Sequence, residues 1–161
     1  MLMMALFVVS MTSAQTVHEG KVFDNTYVTV SAGVTNPTTN IDWFNNTRPQ
    51  FGVEVGKSLT TLYTTSLEFT AGVNTTGVHT AFDEMSLLWL HKLNLSNMIL
   101  GYSQDAKWDI YAVGGLGWGH NMCIRDNYGV VSAGLEIAYN LNDTWSLIAK
   151  PNIEWNHVND G

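Results

Sequence analysis

The run from Trp108 to Tyr139 limits what this chain can fold into more than any other stretch. It reads WDIYAVGGLGWG over 108–119, a short polar break, then YGVVSAGLEIAY over 128–139. Both halves change character at every second residue, which is the period of a β-strand with two unlike faces and not that of a helix. Trp108, Ile110, Ala112, Gly114, Leu116 and Trp118 share one face. Val131, Ala133, Leu135, Ile137 and Tyr139 share another, with Ser132, Gly134, Glu136 and Asn140 opposite. Trp108 and Trp118 stand ten residues apart on one face. At ~3.3 Å per residue and a ~45° tilt they would be roughly 23 Å apart, about the height of the apolar band of a membrane β-barrel between its aromatic girdles.

The same period recurs along the chain. Over 26–34, Val28, Val30, Ala32 and Val34 oppose Thr29, Ser31 and Gly33; over 50–57, Phe51, Val53 and Val55 oppose Gly52, Glu54 and Gly56. Over 63–73, Thr65, Leu67, Phe69, Ala71 and Val73 oppose Thr64, Ser66, Glu68, Thr70 and Gly72. Residues 83–94 alternate less cleanly. Met85, Leu87, Trp89 and Leu93 make one face, but Leu88 and Leu90 intrude on the other and His91 breaks the pattern; a strand is expected, with a short buried helix as the alternative. A long link follows over 95–107. After the hairpin, a tight turn at Asn142-Asp143 leads to a seventh strand over 145–156, where Trp145 and Trp155 repeat the ten-residue spacing. Pro151 removes one ladder donor there. The Asn-, Thr- and Pro-rich segment 35–49 reads as a loop.

Charge and targeting narrow the class. Charged residues make up 13% of the chain, about half the ~25% of an ordinary soluble domain, too few for a solvated outer face. Acids outnumber bases 14 to 7, which disfavours a nucleic-acid partner. No apolar run of ~18 residues follows the N-terminus, so transmembrane helices are not expected. The first residues, MLMMALFVVSMTSAQ, pair an apolar core with Thr12-Ser13-Ala14 before Gln15, the small-residue pattern of a signal-peptidase site, although no Lys or Arg precedes the core. Residues 1–14 are therefore expected to be a signal peptide and 15–161 the barrel domain. Cys123 is the single cysteine, so sheet closure and not an internal disulfide must hold the domain. The fold class expected is all-β, an antiparallel up-and-down transmembrane barrel with seven visible strands. Because closure removes exposed edges, an eighth strand is expected beyond Gly161.

Four carboxylates, Glu54, Glu68, Glu136 and Glu154, and one base, Lys150, fall on the polar faces. Inside a narrow barrel such charges must be paired. They are expected to form a lumen polar network, with Glu136 and Lys150 as a cross-strand ion pair; a gated ion path or cation site is the functional alternative. Trp108, Trp118, Tyr128, Tyr139, Trp145 and Trp155 are the expected aromatic girdle. Trp43 and Phe44, apolar in a polar loop, are the expected contact surface. His79, His91, His120 and His157, with Ser86, Ser132 and Ser146, raise the question of a lipid hydrolase, but no nucleophile motif joins them. No metal site, cofactor or catalytic residue is expected.

Asn94-Leu95-Ser96-Asn97, Gly101-Tyr102, Trp108, the run Tyr111-Ala112-Val113-Gly114-Gly115-Leu116-Gly117-Trp118, and Ser132-Ala133-Gly134-Leu135 carry a resemblance. The chain from Tyr27 to Trp155 resembles the small OmpA-type, porin-like eight-stranded outer-membrane barrels of Gram-negative bacteria. The resemblance implies short periplasmic turns and longer extracellular loops, here 35–49, 74–82 and 119–127, with 95–107 as a periplasmic turn. It implies a non-enzymatic protein of the bacterial outer membrane, in contact with outer-membrane lipid and serving envelope integrity or surface interaction, with an extracellular or cell-surface ligand met through the loops. The rivals are a lipid-modifying outer-membrane hydrolase and a soluble secreted barrel with its apolar face turned inward around a small ligand.

Overall fold

The computed structural model describes residues 2–12, 25–36, 47–73, 81–103 and 105–157, with 2–12 and 157 described as backbone alone. All seven expected strands form: β2 (Thr26–Asn36), β3 (Arg48–Ser58), β4 (Tyr63–Val73), β5 (Phe82–Asn94), β6 (Trp108–Asn121), β7 (Asp126–Asn140) and β8 (Trp145–His157). Each pairs antiparallel with its neighbour in sequence, making one curled sheet. The backbone of β1 (Leu2–Thr12) lies between the two ends of that sheet, paired with β2 on one side and β8 on the other, and closes it into a barrel. In this structure the closing strand is thus supplied by the start of the sequence. The apolar N-terminal run is long enough to satisfy both edges as a strand, a role that its lack of alternation does not advertise.

At the middle of the strands alternation becomes inside and outside. Glu54, Glu68, Ser132, Glu136, Lys150 and Glu154 are buried, while Val53, Leu67, Phe69, Leu87, Trp89, Leu116 and Leu135 are exposed. The polar faces therefore line the interior and the apolar faces form the outer surface. A soluble globular domain has the opposite arrangement.

The irregular stretch 83–94 is strand throughout, and the two intruding leucines have a reason. Leu88 and Leu90 point inward and are fully buried with Val113, Tyr128 and Val130, with Tyr111 packed alongside. Room for them comes from β6. A Cβ on Gly117 would stand 2.1 Å from the Leu87 carbonyl oxygen, and one on Gly115 would stand 2.5 Å from Leu90 Cδ2. These glycines let the strands carry two large side chains into a narrow lumen. An apolar plug thus fills the side of the barrel under β5–β7.

Two links differ from expectation. The segment 95–107 contains a short helix, α1 (Leu95–Leu100), started by Asn94, whose side chain accepts from the Asn97 N–H. The break expected over 119–127 shrinks to the turn 122–125, because Gly119, His120 and Asn121 keep pairing with Tyr128, Asn127 and Asp126. Asn121 Oδ1 caps that turn by accepting the N–H groups of Cys123 and Ile124, and Arg125 adopts φ 57°. Up-and-down connection puts the links after β2, β4 and β6 at one end of the barrel, and those after β3, β5 and β7 at the other.

Candidate functional site

The interior is the site. In the register of β3 with β4, Glu54 stands directly opposite Glu68. Two inward carboxylates side by side repel one another, and each has lost its water. Two lysines answer them. Lys150 Nζ reaches across the lumen to Glu68 Oε1 at 2.9 Å and Glu54 Oε2 at 3.1 Å. Lys92 Nζ lies 2.6 Å from Glu54 Oε1 and 2.5 Å from Glu136 Oε2. The result is an alternating chain, Glu68–Lys150–Glu54–Lys92–Glu136, carried by β3, β4, β5, β7 and β8. Alternation is what makes burial of five charges tolerable, since each cation lies between two anions. Tyr27 completes it: its hydroxyl donates to Glu54 Oε1 at 2.8 Å, and its ring centroid lies 5.2 Å from Lys92 Nζ. The ring has space because Gly56 has no side chain; a Cβ there would be 2.3 Å from Tyr27 Cζ.

The expected network residues Glu54, Glu68, Glu136, Lys150 and Glu154 all face the interior and are buried. The expected Glu136–Lys150 pair is not what forms. Lys150 pairs with the two adjoining glutamates of β3 and β4, where negative charge is densest, and Glu136 takes Lys92 instead. A lysine stem is long enough to span a small lumen, so nearness along the hairpin does not decide its partner. Lys92 is the central residue that sequence reasoning missed. Its position was legible in principle, because it continues the inward parity of Ser86, Leu88 and Leu90.

The two ends of the interior are finished differently. At the end holding the 122–125 turn, Arg48 pairs with Asp83, Tyr128 donates its hydroxyl to Glu84, and the Thr70 and Ser86 hydroxyls meet at 2.6 Å. Asn152 Nδ2 donates to Glu154 Oε1 at 3.2 Å. At the other end Asp109 accepts from Asn94 Nδ2 at 3.0 Å and Asn140 Nδ2 at 2.8 Å.

The aromatic residues divide. Trp108, Trp118 and Trp155 are each at least half exposed on the outer face. Trp118 and Trp155 belong to one end of the barrel, while Trp108, Tyr139 and Trp145 belong to the other, where the Trp108 and Tyr139 rings lie 4.6 Å apart. Tyr128 does not belong to a girdle. It is 7% exposed and inside, because it shares the parity of Val130 and Ser132 and not that of Val131. Trp89, outward on β5 with its Nε1 donating to Thr65, is an exposed aromatic that the expected girdle omitted.

Trp43, Phe44 and His79 lie outside the described residues. His91 faces outward, held by the Tyr63 hydroxyl at 2.5 Å and packed near Trp89. His120 stacks on Trp118 and meets Asn127. Ser86, Ser132 and Ser146 are buried inside. His91 and these serines are therefore on opposite sides of the sheet, and the side chain of His157, like His79, lies outside what is described. Cys123 is exposed in its turn. Among the described residues, no three His, Cys, Asp or Glu side chains converge as a metal site. Comparisons with protein-family models, curated proteins and solved structures found no match.

Proposed function

We propose that this chain is a non-enzymatic outer-membrane β-barrel that serves envelope integrity or surface interaction through the links at one end, in the manner of the OmpA-type barrels it resembles. One observation carries the reading. Strands β2–β8 bury their mid-strand charges and expose Val, Leu, Phe and Trp around the middle of the barrel. Water would solvate such an outer surface poorly, whereas a bilayer matches it, and tryptophans at both ends suit the two membrane interfaces. The same inside–outside arrangement weighs against the soluble carrier, which needs an apolar interior for its ligand. The paired charges and the leucine plug fill the lumen, which favours a structural interior over a conducting one. On this reading the links 37–47, 74–81 and 122–125 face outward from the cell, residues 1–14 direct export, and outer-membrane lipid is the main partner.

The test is fractionation followed by gel migration in detergent. A membrane barrel enters the membrane fraction and migrates differently before and after boiling. Recovery in the soluble fraction without heat-modifiable migration would refute the reading.

A further inference from the structure

The strand that closes the barrel is poorly matched to the place it fills. Both of its ladders lose register between residues 4 and 8, in mid-strand, whereas β2–β3, β3–β4 and β6–β7 pair without interruption and β4–β5 shifts register at its end, between Gly72 and Val73. Met3 stands level with Thr35 on one side and Asn152 on the other. Those two neighbours are 4% and 6% exposed, and Thr35 Oγ1 and Asn152 Oδ1 are buried without a hydrogen-bond partner. A third such atom, Thr29 Oγ1, is also on β2. Buried polar atoms are normally paired; others without a partner lie on β3, β4 and β5, at Gln50, Ser66 and Asp83, but Thr35 and Asn152 flank one and the same position of β1. The sequence LMMALFVVSMT cannot satisfy them near Met3: it holds no charge, and its first side chain able to donate a hydrogen bond is Ser10.

Beside the same level lies a small cavity lined by Thr35, Gln50, Glu84, Ser86, Tyr128 and Glu154, about large enough for one water. Gln50 Oε1 is a further buried acceptor without a partner there. Among the described residues six buried carboxylates, Glu54, Glu68, Asp83, Asp109, Glu136 and Glu154, share the interior with buried Lys92 and Lys150 and with the half-exposed Arg48 that pairs with Asp83. Thus acceptors, carboxylates and a cavity meet beside a strand position filled by methionine.

We propose that the place between β2 and β8 is a strand-acceptor site for a polypeptide strand of about eleven residues, antiparallel to both, with apolar outward positions and a base inward at the level of Thr35 and Asn152. The base donates to the orphaned oxygens and places its charge among the carboxylates of the cavity. Leu2–Thr12 holds the place as a weaker occupant. The inference rests on the export reading only in that loss of residues 1–14 would vacate the place; the chemistry of the place does not depend on it.

The experiment uses the full chain, folded in detergent, with a protease site set within residues 13–24 and cut after folding so that β1 can exchange. Two fluorescent eleven-residue peptides are offered in excess: the β1 sequence itself, and the same sequence with arginine at the Met3 level. The arginine peptide is expected to replace β1 and be retained on the barrel at least tenfold better, and Glu154→Gln is expected to narrow that difference. Equal retention of both peptides, or retention of neither, overturns the proposal. A second measurement does not require exchange. In the uncut chain Met3→Arg is expected to raise the urea midpoint and Met3→Leu to leave it unchanged; a fall with Met3→Arg, as for an unmatched buried charge, overturns it. Failure of the membrane reading would appear in fractionation and would leave both of these outcomes as they are.

Discussion

Lys92 offers the sharpest test of how the interior is held. Its side chain is 1% exposed and its ammonium bridges Glu54 and Glu136. Replacing it by methionine keeps most of the stem volume and removes the charge. Glu54 would keep Lys150, but Glu136 would lose the cation 2.5 Å away and be left as a buried anion. Breaking a buried pair in this way costs about 3–5 kcal/mol. With a urea dependence of about 2 kcal/mol per molar, the midpoint of Lys92→Met should fall by roughly 1.5–2.5 M. The double variant Lys92→Met with Glu136→Gln removes the stranded charge and should recover most of that loss, whereas Lys92→Met with Glu154→Gln should recover little. Lys150 gives the complementary comparison: Glu68→Gln should rescue Lys150→Met, and Glu136→Gln should not. Unfolding would be followed by tryptophan fluorescence and by heat-modifiable migration on the same samples. If Glu136→Gln rescues Lys150→Met as well as it rescues Lys92→Met, the alternating chain is wrong and the charges form a diffuse pool.

Three further outcomes follow from the same geometry. Gly117→Ala should lower the unfolding free energy by about 1–3 kcal/mol, because its Cβ would meet backbone at Leu87 that cannot move aside; Gly129→Ala, with nothing within 4 Å, should be silent in the same urea titration. Leu135→Arg, on the outer face of β7, should cost about 2–4 kcal/mol in a bilayer, read as lost membrane assembly, while Leu135→Ala should assemble normally. Export with cleavage after Ala14 predicts that N-terminal sequencing of membrane-derived protein begins at Gln15, and intact Met1 would refute it.

The seven strands were legible because alternation is a local signal that one hairpin or one strand displays unaided. Val53, Glu54 and Val55 name their faces whatever the rest of the chain does. The interior was less legible for two reasons. Leu88 and Leu90 look like errors of parity until Gly115 and Gly117 are seen opposite them, and that pairing depends on the register of β5 with β6. Ion partners depend on distance across the lumen, which no spacing along the sequence encodes. Glu136 and Lys150 flank one tight turn and still choose other partners. Tyr128 shows the opposite fault, since its own parity already placed it inside, and its aromatic character alone suggested a girdle.

The N-terminal strand shows most clearly why a rule of alternation finds seven strands here and not the eighth. A strand between lipid and a polar lumen must offer apolar groups on one side and hydrogen-bonding groups on the other, so its sequence carries the period of two. Leu2–Thr12 is apolar on both sets of positions up to Val9. It can supply the backbone pairing that open edges in a membrane require, because every residue has an N–H and a C=O. Near Met3 its sequence offers no hydrogen-bonding side chain, which the interior requires there. Backbone satisfaction and side-chain satisfaction are separate conditions for closing a barrel. The orphaned oxygens of Thr35 and Asn152 mark the point where the first is met and the second is not.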